Sequence, residues 1–128
     1  MPNYKECDLK HRLLNNLKTF LMELGPDFAF VGEEYLIQVG NKDYFIDLLL
    51  HHRGLNCLIC CELKVTEFKP EHLGKLEFYL EALDQTVKQP HENPSIGLLI
   101  SKTKDDEVVK FAMNRNSRQH WLLSTKQN

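Results

Sequence analysis

The sequence predicts an α/β domain in which helices flank a mixed β-sheet, in the order α-β-β-β-α-β. Three observations predict it. Apolar residues at helical spacing give way, after Gly25-Pro26, to runs of aromatic and branched residues that read as strands. Two later runs, 55–64 and 95–101, are almost continuously apolar, as in strands covered on both faces. Between them, residues 70–88 return to helical spacing.

Each element has its own signal. Leu9, Leu13, Leu17, Phe20, Leu21 and Leu24 trace one helix face, with Asp8 as a cap and Gly25-Pro26 as the stop. FAFVG (28–32), EYLIQV (34–39) and YFIDLLLHH (44–52) follow as strand segments, the last two joined by a turn at Gly40-Asn41-Lys42-Asp43. A turn at Arg53-Gly54 leads into strand 55–64. Pro70 suits a first helical turn, and Leu73, Leu76, Tyr79, Leu80 and Leu83 form the apolar face of a helix ending near Lys88. PHENP (90–94) is a loop and SIGLLIS (95–101) a buried strand. Asp105 and Asp106 cap a short helix through Ala112, and HWLLS (120–124) is a last strand.

Composition bounds the function. The 128 residues make one domain, 1–128, long enough for a real core, and 42% hydrophobic with 27% charged content is ordinary for a globular chain. A net charge of −2 excludes a polycation drawn wholesale to phosphate, so contact with nucleic acid needs a local basic patch or a bound cation. MPNYKECDLKHR lacks the apolar stretch of a signal peptide, and no run approaches membrane-spanning length. Cysteines at 7, 57, 60 and 61 are a poor disulfide framework and suit a reducing cytoplasm. Cys57-x-x-Cys60 has zinc-knuckle spacing, but within a strand the two would face opposite sides, so buried cysteines explain them better.

The chemistry is expected on strands 44–52 and 55–64. Asp47 interrupts YFIDLLL where an aliphatic residue would pack better, and CLICCELKV carries Glu62 and Lys64 on one face with Leu63 on the other. If the strands pair through the turn at 53–54, Asp47 comes opposite the 60–62 region. The bland alternative is that Glu62 and Lys64 form only an ion pair at a sheet end. Two carboxylates from neighbouring strands, with the carbonyl of Leu63 as a third ligand, suit Mg²⁺ or Mn²⁺, which keep waters and substrate phosphate oxygens in their shell. Lys64 would then hold the attacking water or neutralise charge growing on the pentavalent phosphorus.

The chain resembles the PD-(D/E)xK nuclease superfamily, and within it the YhcG-type C-terminal nuclease-like domain. The resemblance runs through FLMELGPDFAFVGEEYLIQVGNKDYFIDLLLHH, LNCLICCELKVTEFKPEHLGKLEFYLEALD and HENPSIGLLISKTKDDEVV. It implies a restriction-endonuclease-like core and metal-dependent hydrolysis of phosphodiesters, usually in DNA, with Asp47, Glu62 and Lys64 as the catalytic triplet. Glu23 in FLMELG matches the acid that the superfamily often adds from its first helix. A RecB-like subset carries Gln-x-x-x-Tyr on the helix after ExK; here KLEFY places Lys75 and Tyr79, with lysine in the glutamine position and free to meet phosphate directly.

Ile46 stands where the superfamily's name has proline. VGEEY (31–35) brings Glu33 and Glu34 where the resemblance leads one to expect VGRQY, adding negative charge near the site. From Ser95 onward six basic residues face three acidic ones, and Lys102 and Lys104, just beyond a buried strand, are candidates for holding a nucleic-acid backbone. Many members of the superfamily cut as homodimers, and relatives carry a helical N-terminal recognition domain that this sequence lacks. A catalytically weak nuclease-fold module that binds nucleic acid or a protein partner is the alternative to an active enzyme.

Overall fold

A computed structural model describes residues 11, 12, 14, 15, 18, 19, 26–64, 66–101 and 120–124, the last five by backbone alone. Glu23, Lys102, Lys104 and the expected short helix through Ala112 lie outside these. The described residues between 11 and 19 are helical, as the N-terminal periodicity predicts. The strands are β1 (Phe28–Val39), β2 (Lys42–His52), β3 (Cys57–Leu63), β4 (Asn93–Ser101) and β5 (His120–Ser124), and helix α1 (Pro70–Thr86) joins β3 to β4. No helix among the described residues is long and apolar enough to cross a membrane.

The strands form one mixed sheet in the order β1-β2-β3-β4-β5. β1/β2 and β2/β3 are antiparallel, while β3/β4 and β4/β5 are parallel. The hairpin is tighter than expected. Val39 pairs with Lys42, so only Gly40 and Asn41 form the loop, and Gly40 takes the positive φ of 64° that a two-residue connection needs at its first position. β3 starts two residues later than the apolar run, because residues 53–56 complete the turn and Asn56 ends it at φ 50°, a left-handed conformation asparagine tolerates.

Both faces of the central strands are covered, which explains their unbroken apolar run. Leu58 and Cys60 point to α1, where they pack with Leu73, Leu76, Tyr79, Leu80 and Leu83. Cys57, Ile59, Cys61 and Leu63 point the other way, into a cluster with Ile96, Leu98, Ile100 and Leu14 of the N-terminal helical segment. Cys57 and Cys60 therefore lie on opposite faces, which breaks up the knuckle spacing. Each of these aliphatic side chains contributes about 1.5–3 kcal/mol by leaving water. The first turn of α1 is closed reciprocally: the His72 amide donates to the Lys69 carbonyl at 2.9 Å, and the Lys69 amide donates to His72 Nδ1 at 3.2 Å.

Candidate active site

Register brings the acids together. Leu48 pairs with Cys61, so the next step along the β2–β3 ladder sets Asp47 across from Glu62. Glu62, two residues after Cys60, shares the α1-facing side of the sheet. Asp47 sits where the alternation of β2 breaks: Ile46 and Leu49 join the α1-side cluster, whereas Leu48 and Leu50 join the other. Across the β1–β2 ladder, between the pairs Glu33–Leu48 and Tyr35–Ile46, stands Glu34 with its backbone in the left-handed region at φ 47°. Among the described non-glycine residues only Glu34 and Asn56 take a positive φ.

Two backbone amides fix the carboxylates. Leu63 N–H donates to Asp47 Oδ2 at 2.8 Å, and Asp47 N–H donates to Glu62 Oε1 at 3.4 Å. Asp47 is only 8% exposed and Glu62 3%. Burial, and then the neighbouring Asp47 charge, push Glu62 up to about 7; Lys75, Lys64 and the Asp47 amide act in the opposite direction. The same negative field reaches Tyr79, whose phenol is pushed up by burial first and then by Glu62 and Asp47. It also reaches Cys60, raised well above the usual thiol range by burial and then by Glu62.

The cations arrive from two directions. Lys64 follows the last residue of β3, its amide donating to the Ile100 carbonyl at 2.8 Å, and its charge acts on both Glu62 and His72. Lys75 comes from α1, its ammonium 5.6 Å from the centre of the Tyr79 ring. Asp47, Glu62, Lys64, Lys75 and Tyr79 thus gather at one end of the sheet under α1. Among the described residues no third His, Cys, Asp or Glu joins the two acids in a metal-ligating cluster.

Other expectations shift. Glu33 adds little negative charge at this end, because it pairs with Lys18 of the N-terminal helical segment at 2.8 Å. It stands opposite Leu48, whose side chain lies in the cluster away from α1. His72 also stands here, outside the catalytic set expected from the sequence. Burial and then Lys64 hold its imidazole below the ordinary range. Pro70 at the start of the helix is the signal that could have found it, since it puts His72 in the first turn of α1, on the side of Lys64.

This constellation can hold a divalent cation between two acids and offer two ammoniums to a phosphate. The sequence profile described as the YhcG PDDEXK nuclease domain matches residues 1–126. The chain belongs to that nuclease-domain family. Over 110 residues it is 36% identical to YhcG of Escherichia coli (strain K12), which covers 86% of this chain and 29% of that relative's length. This YhcG-type domain therefore spans under a third of that relative.

The solved structures agree on the fold. A repair endonuclease from Pyrococcus abyssi superposes with a TM-score of 0.61 at 14% identity, over 100% of this chain and 50% of its own. An EndoMS–dsDNA complex superposes with a TM-score of 0.60 at 16% identity, over 88% of this chain and 44% of its own. The restriction-endonuclease-like core expected of the YhcG-type sequence is what the five-stranded mixed sheet and α1 form.

Proposed function

We propose that this domain hydrolyses phosphodiester bonds of nucleic acid, with DNA as the substrate, and does so with Mg²⁺ or Mn²⁺. The observation that carries the reading is the pair of buried carboxylates, Asp47 and Glu62, set across from each other on adjacent strands, with amides fixing one oxygen of each. Burying two ionised acids side by side is costly unless a cation joins them, and without one Glu62 keeps its proton to higher pH. Asp47 and Glu62 would hold it, with the Leu63 carbonyl as a third ligand. Such an ion, when bound, offsets repulsion between acids and phosphate and lowers the pKa of water.

The remaining roles fall to the chain's own side chains. Lys64 orients the attacking water or stabilises charge developing on the phosphoryl oxygens. Glu23, the acid that the resemblance matches, assists. Lys75 and Tyr79 from α1, with Lys102 and Lys104 beyond β4, contact the nucleic-acid backbone. The domain acts in the cytoplasm, as a homodimer of the kind many members of the superfamily form.

Purified chain incubated with Mg²⁺ or Mn²⁺ and duplex, single-stranded and flapped DNA tests this. Cutting is expected, with a loss of 10²-fold or more, on the order of what transition-state groups supply, in Asp47→Ala, Glu62→Ala and Lys64→Ala. No cutting by the wild type, or cutting that persists in Asp47→Ala, overturns the enzyme. Retained binding without cutting would make the domain a nuclease-fold binding module.

A further inference from the structure

Lys75 and Tyr79 stand one turn apart on α1, with the ammonium seated over the ring at 5.6 Å. Glu71, four residues earlier on the same helix, is spaced for an ordinary surface pair with Lys75. That pair does not form. Among the described residues Lys75 makes no ion pair at all. Tyr79 is buried against the cluster that contains Cys60 and Ile46, beside the two acids, so the ring anchors the ammonium on their side of the helix. The charge of Lys75 is felt at Glu62 ahead of that of Lys64.

Charge balance gives this placement a consequence. Among the described residues, with both acids ionised, Asp47 and Glu62 are offset by Lys64 and Lys75, and these four groups together are neutral. A first dication meets two carboxylates and no net charge. A second would meet two positive charges and, among the described residues, no further His, Cys, Asp or Glu to receive it. A glutamine at position 75 would bring no such charge.

We infer that Lys75 is a resident cation of the carboxylate pair, that it takes the electrostatic place of a second divalent ion, and that the centre loads one dication per chain. This rests on the reading of Asp47 and Glu62 as metal ligands. Calorimetric titration of Mn²⁺ into the chain, at low salt and without nucleic acid, separates the two claims. The wild type is expected to bind one ion. Lys75→Met should tighten it by about three- to tenfold, the size of one unit charge acting on a dication near a protein surface, while Lys75→Arg stays at the wild-type value.

In the same buffer with Ca²⁺, Lys75→Met should bind DNA more weakly and reduce the salt slope by about one. Two ions per wild-type chain, or a Lys75→Met affinity for Mn²⁺ that is unchanged or weaker, overturns the inference and leaves the metal site standing. Undiminished Mn²⁺ binding by Asp47→Asn removes the site, and the inference with it.

Discussion

Glu62 carries a proton at pH values where most glutamates have lost theirs, because it is buried on the same sheet face as Asp47. The consequence for stability has a definite sign. Below about pH 4.5 the folded and unfolded chains both hold the proton. Between about 4.5 and 7 the unfolded chain releases it first, so metal-free protein loses stability as pH rises, and the loss levels off above about 7. Thermal melts in chelator from pH 5 to 8 should show this decline, and Glu62→Gln should flatten it and be the more stable protein at pH 8. A wild-type melt that is flat over this range would contradict the buried, proton-holding carboxylate. Divalent cation should reverse the trend, since binding to the ionised pair tightens as the proton leaves.

α1 and β1 hold the site from opposite sides, and each invites a test. Leu76 is fully buried between α1 and the sheet, so Leu76→Ala should cost about 2–5 kcal/mol in urea denaturation. Its effect on catalysis should exceed that of an equally destabilising change in the cluster away from α1, because α1 carries Lys75 and Tyr79. In β1, Glu34 holds a left-handed backbone at the level of Asp47. Glu34→Gly removes the Cβ clash and should stabilise the fold by about 0.5–1 kcal/mol, net of glycine's greater entropy loss. A destabilised Glu34→Gly would mean the glutamate side chain contributes more than its backbone costs.

Taken as a whole, the molecule carries a net charge of −2, and a dication on the carboxylate pair gives the site the positive charge that a polyanion needs. DNA affinity measured by anisotropy should therefore rise sharply on adding Ca²⁺ and fall with monovalent salt. The same ion should stabilise the fold by mass action, by about 2.7 kcal/mol at a hundredfold excess over its Kd, and Asp47→Asn should abolish that gain.

Much of this was legible in the chain. The strand run 55–64, the helix from Pro70 and the strand from Ser95 each carry a local periodicity, and local periodicity survives in the fold. The acids were legible too, because a carboxylate inside YFIDLLL and another at the end of CLICCEL are costly exceptions to an apolar pattern. Element ends were less so: β3 starts at Cys57 because backbone bonds close the preceding turn, Arg53 N–H to the Asp27 carbonyl and Asn56 N–H to that of Arg53. Composition does not encode those bonds.

By itself the sequence determined the order of helices and strands, their apolar faces and the residue types able to hold a cation. Only the tertiary structure decided which residue of the 60–62 region Asp47 faces, that Glu33 turns to Lys18, and that Lys75 leans over Tyr79 toward the acids. The reason is the range of the forces involved. Side-chain period is set within a few residues, whereas register across a turn and the seat of a helix on a sheet are set by packing between segments far apart in the chain.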